Sequence, residues 1–222
     1  MPLLLDEQIT CPKCSHSFET KILASYDTFG DQYSDLYIAS ENDPQPILHK
    51  IQLCPKCGFA AFTLEFNNNL ILQRNVKKVI KKIENFTGKS ASEFNVGDGY
   101  LEIAEYSSHL SLEERSHIMM QACYAYRELE DSLLSKARKK VLQSIQEIIE
   151  NSQFKVNDKE VYYYLTGELL RLLGNNQKAE KYFNKTLTIA QKRSFIARLT
   201  KHQLTTPSEI IPENIRKAQK ND

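Results

Sequence analysis

The spacing of hydrophobic residues changes near residue 67. Upstream, "SHSFETKILASYD" (15–27) and "PILHKIQL" (46–53) alternate apolar and polar positions in part, as short strands do. Downstream the period lengthens. In "NNLILQRNVKKVIKKIENF" (68–86), Leu72, Val76, Val79, Ile80, Ile83 and Phe86 fall on one face at a spacing of three to four, with Lys77, Lys78, Lys81 and Lys82 opposite. "SASEFNVGDGY" (90–100) reads as a loop, a helix follows from about Tyr100 to His109, and "SLEE" (111–114) is a capping box that opens the next. The pattern predicts an α+β protein that is mostly α. It divides into a small β module over 1–66, a helical domain over 67–200 and a polar, loosely ordered tail over 201–222.

The helical part carries an internal signal. "YYLTGELLRLLGNNQKAEKYFNKTL" (163–187) follows the 34-residue tetratricopeptide pattern, in which paired helices stack through small residues. Gly167 and Ala179 take the small contact positions, Gly174 ends the first helix, and Phe183 and Leu187 fill the groove between helices. A second copy can be aligned upstream through Ala125, Ser132, Ala137 and Val141, offset by 42 residues. The expectation is an antiparallel helical repeat stack, with the helices at 70–87 and 100–109 as its N-terminal cap and 187–203 closing it.

The candidate chemistry lies at the other end. The tetrapeptide "CPKC" occurs at 11–14 and again at 54–57, giving C-x2-C-x39-C-x2-C. A CxxC turn presents two thiolates to one ion, and two such turns complete the tetrahedron that Zn2+ prefers. Cys11, Cys14, Cys54 and Cys57 are therefore the expected ligands of one structural zinc. Gly58 supplies the left-handed residue such a turn needs, and Ser15 stands in the matching place. The pattern favours zinc over a redox dithiol, because neither pair sits in a strand–helix context. Four cysteines also leave iron–sulfur ligation as an alternative. His16 and His49 lie near the ligands, but four cysteines already fill the shell. Asp27, Asp31 and Asp35 recur every fourth residue, unlike the alternating ligands of a calcium loop.

Charge sharpens the partner classes. The net charge is +1, but residues 1–66 carry −5, 67–89 carry +5 and 191–222 carry +4. The acidic zinc module disfavours nucleic acid, so a protein or peptide partner is expected in a groove of the repeat stack, contacted by Tyr162, Glu168 and Arg171. The alternative is an accessory factor of the transcription or translation machinery, acting through the zinc ribbon and the basic 74–89 helix. The five scattered histidines compose no catalytic motif, and Cys123 sits on an apolar helical face. The start "MPLLLDEQIT" lacks the basic region of a secretory signal, and no apolar run reaches membrane-spanning length, so a cytoplasmic protein is expected.

Both knuckles and the repeat together resemble a prokaryotic family catalogued as domain of unknown function 2225, through "CPKCSHSF", "CPKCGFAAF" and "YLTGELLRLLGNNQKAEKYF". Phe59 stands where members more often have tyrosine. The resemblance implies a zinc-ribbon-like module joined to a tetratricopeptide-like one, and it implies no activity.

Overall fold

The computed structural model describes residues 3–66, 75–150 and 159–217. They form an α+β fold dominated by helices, in two compact units. One unit comprises residues 1–28 and 40–137, the other 29–39 and 138–222. This division differs from the boundary expected at residue 66. Among the described residues no helix is long and apolar enough to cross a membrane.

In the first unit each CPKC tetrapeptide is the turn of a hairpin. Strand β1 (Leu3–Thr10) pairs antiparallel with β2 (Ser17–Ser25), Ile9 opposite Phe18. β3 (Ile51–Leu53) pairs with β4 (Ala60–Phe62), Leu53 opposite Ala60. Two-stranded sheets are marginal alone, so something must bury the second hairpin. After α1 (Thr63–Phe66) and α2 (Val76–Thr87), helix α3 (Val96–Tyr106) packs against β3 and β4. Tyr106 donates to the Ala60 carbonyl at 2.9 Å and Tyr100 to the Ile47 carbonyl at 2.9 Å. A Cβ at Gly99 would stand 2.8 Å from Ile51 Cδ1. Phe59 and Phe66 fill the gap beside Tyr106.

Helix α3 begins earlier than its sequence suggested. Asn95 and Asp98 cap it reciprocally, and the Gly-Asp-Gly run lies inside its first turns. Glycine usually weakens a helix, but here it makes room: a Cβ at Gly97 would meet the Tyr126 ring at 2.5 Å. That ring lies on α4 (Leu112–Glu128), which opens at the expected capping box of Ser111 and Glu114. Buried Asp98 accepts from Tyr126 Oη at 2.6 Å and from Lys89 Nζ at 3.1 Å, and Lys89 also reaches Asp131 at 3.0 Å. Cys123 is wholly buried in α4, as a core residue. On α2, Val76, Ile80 and Ile83 are buried as expected, whereas Leu72 lies outside the described residues.

The second unit is built on α6 (Lys159–Leu172) and α7 (Asn176–Ile189). Tyr164 meets Phe183, and Gly167 meets both Phe183 and Ala179, so the two run antiparallel. Gly174, at φ +80°, ends α6 with amides 174 and 175 bonded to carbonyls 171 and 170, a Schellman cap. The earlier hairpin expected from residues 112–150 has no such partnership: α4 packs chiefly on α3, and the division between units falls within α5 (Leu134–Glu150). α3 is therefore core to the first unit rather than the cap of a stack.

The tail expected to be loose is folded as far as residue 217. After α8 (Phe195–Thr205), Ile211 is fully buried, its amide bonded to the Gln32 carbonyl at 2.8 Å, and α9 (Glu213–Lys217) follows. Arg216 reaches Asp31 at 3.2 Å.

Glu102 in α3 yields a pH-dependent prediction. It is completely buried, with no hydrogen-bond partner for either oxygen among the described residues, and burial pushes its carboxyl well above the usual range. The unfolded chain releases this proton near pH 4.3 and the folded chain at higher pH, so folding is penalised progressively as pH rises above that point. Glu102→Leu should raise stability at pH 8 by on the order of 1–3 kcal/mol more than at pH 5.5. Urea unfolding at the two pH values tests this, and a pH-independent effect would contradict it.

Candidate metal centre

The Sγ atoms of Cys11, Cys14, Cys54 and Cys57 all lie within 4.8 Å of one another. The closest approaches cross between the knuckles, Cys11 to Cys57 at 3.7 Å and Cys14 to Cys54 at 3.6 Å. Four sulfurs bound at about 2.3 Å to one tetrahedral ion stand about 3.8 Å apart. The four could hold a single metal ion, and the spacing leaves no room for a multi-iron cluster at their centre.

Both knuckles share one backbone path. Amide 15 bonds to the Cys11 carbonyl and amide 58 to the Cys54 carbonyl, each at 2.9 Å, while amides 11 and 54 bond to the carbonyls of His16 and Phe59. Ser15 has φ +56° and Gly58 φ +69°, so both turns use the left-handed region where it was anticipated. At Gly58 there is a second constraint, since a Cβ would sit 2.7 Å from the Ala91 carbonyl oxygen. Ser15 carries the conformational cost in the first knuckle.

Hydrogen bonds and burial pull the four thiols in opposite directions. The Cys57 thiol hydrogen-bonds Cys11 and holds its sulfur down at about 5, helped by the amides of Cys14 and Lys13. Burial pushes Cys54 up to about 11, and the bond to Cys11 pushes Cys57 up. Four ionised thiolates this close repel one another. A divalent cation would let all four ionise, because its charge offsets their mutual repulsion. The backbone amides of residues 56 and 57 aimed at Cys54, and of residue 59 at Cys57, favour the same state. The donor set thus fits a thiophilic divalent ion.

The other candidates fall elsewhere. His16 stacks on Phe18, and neither it nor His49 belongs to the cluster. Asp27 accepts from the Glu41 amide in the first unit, whereas Asp31 pairs with Arg216 and Asp35 is buried in the second, so these three form no site. The exposed groove expected around Glu168 needs correction. Glu168 is fully buried: it accepts from Arg171 Nη2 at 2.7 Å and Nε at 3.0 Å, and from the Ser34 hydroxyl. Tyr164 donates to the Ser34 carbonyl at 2.7 Å. Glu168 and Arg171 therefore clamp residues 29–39 to α6, because a buried carboxylate must be paired. Tyr162 is half-buried on α6. In sequence these residues looked like a polar helix face, since their partner Ser34 lies 134 positions from Glu168.

Together these features define an α+β protein in which two hairpin knuckles bring together four cysteines that could hold a metal ion. The chain belongs to the family described as "Uncharacterized protein conserved in bacteria (DUF2225)", which matches residues 4–206. No curated protein and no solved structure is significantly similar to it.

The unequal knuckles predict unequal responses. Gly58→Ala should cost at least about 1–3 kcal/mol from its backbone conformation alone, with the overlap at Ala91 added. Ser15→Gly should be neutral or mildly stabilising. Thermal melts with a chelator challenge measure both, and equal tolerance at the two positions would contradict the assignment.

Proposed function

We propose that the protein is a zinc-stapled scaffold that works by binding a macromolecular partner and performs no catalysis. The observation that carries this reading is the cluster of four sulfurs within 4.8 Å of one another, enough to supply every ligand of a tetrahedral ion from the chain. A structural zinc site has such a closed shell, whereas a catalytic one keeps a position for water or substrate. The surroundings support a structural role, since β3 and β4 are three residues each and β1 and β2 are mostly exposed. Joining four thiolates through one ion is worth on the order of 10–16 kcal/mol in small zinc peptides, enough to hold two such hairpins together.

Zn2+ is favoured over iron because four thiolates around one site suit a d10 ion without redox demand. The partner in this reading is a protein or peptide that meets the helical surfaces in the cytoplasm. Glu168 is buried and engages Arg171, which leaves that contact to other, exposed positions.

Native mass spectrometry with elemental analysis should find one zinc per chain. Cys54→Ser should abolish tight zinc binding and remove amide-exchange protection from the β3–β4 hairpin, while the 159–189 helices keep theirs. Iron in place of zinc, a second ion, or a Cys54→Ser protein that retains zinc against chelator would count against the proposal.

A further inference from the structure

The charge of the chain divides along its two units. The first holds thirteen Lys/Arg against seventeen Asp/Glu, a net of −4, and the second sixteen against eleven, a net of +5. Within the second unit the residues after α7 (191–222) carry +4, and α7 itself carries three lysines against Glu180. Lys178, Lys181 and Lys185 recur at i, i+3 and i+7, which lines them along one side of the helix over about 10 Å. All three are exposed, and among the described residues none is paired with a carboxylate. Glu180 is offset from that line, toward the other flank of the helix.

The basic face of α2 differs, although its lysine run is the more conspicuous in sequence. There two of the four lysines are paired, Lys81 with Glu84 at 3.2 Å and Lys82 with Glu105. That leaves only Lys77 and Lys78, and among the described residues no ring pair stands beside them. Cations already neutralised within the fold attract a polyanion weakly. The α7 cations are not neutralised.

Beside the α7 line stand two aromatic rings. Tyr163 of α6 and Tyr182 of α7 lie 6.2 Å apart, tilted by 37°, and both are partly exposed. Lys185 Nζ lies 5.1 Å from the Tyr182 centroid and 5.8 Å from that of Tyr163. Ammonium groups answer phosphates, and ring faces answer bases. An acidic peptide would use the lysines and leave the rings idle.

We propose that the α6–α7 face formed by Lys178, Lys181, Lys185, Tyr163 and Tyr182 binds single-stranded nucleic acid. The phosphates follow the lysine line, and one or two bases stack against the tyrosines. The surface belongs wholly to the second unit, so it stands independently of the metal centre and of the zinc reading. It also differs from the zinc ribbon and the 74–89 helix, which the sequence singled out for such contact.

The test is fluorescence anisotropy of the full zinc-loaded chain with labelled 12-mers of oligo(rU) and oligo(dT), titrated from 50 to 200 mM KCl. Three phosphate contacts predict a slope of log K against log salt of about −2. A Lys178→Gln, Lys181→Gln, Lys185→Gln triple variant should bind at least tenfold more weakly at 50 mM and with a flatter slope. The Lys178→Gln, Lys181→Gln double variant touches neither ring, and it should lose affinity with the fold intact by circular dichroism. Lys77→Gln with Lys78→Gln on α2 should change nothing. Tighter binding of oligo(rU) would name RNA as the source, and equal binding would name single strands of either kind. Absence of binding at 50 mM, or lysine variants that bind like the parent, would overturn the proposal. So would a twelve-residue polyglutamate peptide competing as well as oligo(dT), which would assign the face to an acidic protein.

Discussion

Four sulfur atoms within 4.8 Å of one another cannot all carry negative charge unless a cation sits among them. The chain brings them together by spending its two best turns on the same tetrapeptide, and the intervening 39 residues enter the fold as a closed loop. The N-terminal architecture follows from that closure. β1 with β2, and β3 with β4, are hairpins whose tips are the ligands, so an ion at the centre ties tip to tip. Helix α3 completes the arrangement by covering β3 and β4, through Gly99 where the Ile51 and Ala60 side chains press close and through tyrosine hydroxyls on the Ile47 and Ala60 carbonyls.

The second unit rests on different physics. Its helical hairpin is held by ring contacts across a glycine, and buried Glu168, paired with Arg171, fastens residues 29–39 to it. Those eleven residues lie between the two knuckles in sequence, yet they fold with the C-terminal helices. The loop that a metal ion would close therefore contributes to both units, a consequence of connectivity alone.

The cysteine cluster was legible in the sequence because its geometry is local: each CxxC turn is set by four or five consecutive residues. The α6–α7 hairpin was legible for the same reason, through Gly167, Gly174 and Ala179 at fixed spacing. The start of α3 was not, because Gly97 and Gly99 look like helix breakers until Tyr126 and Ile51 are seen against them. Glu168 and Arg171 were misread as an open groove because burial at Ser34 is a long-range fact. The tail was misread because its prolines and charges hide Ile211, which becomes core only when Gln32 pairs with it. Local signals gave elements and ligands, whereas contacts distant in sequence determined which polar residues remain free.

The account stands or falls on the closed sulfur shell. X-ray absorption at the zinc edge of the purified protein reads that shell directly. It should show four sulfur scatterers at about 2.3 Å and no nitrogen or oxygen neighbour. A light-atom ligand in the shell, or only two or three sulfurs, would mean an open coordination site and would contradict a purely structural role.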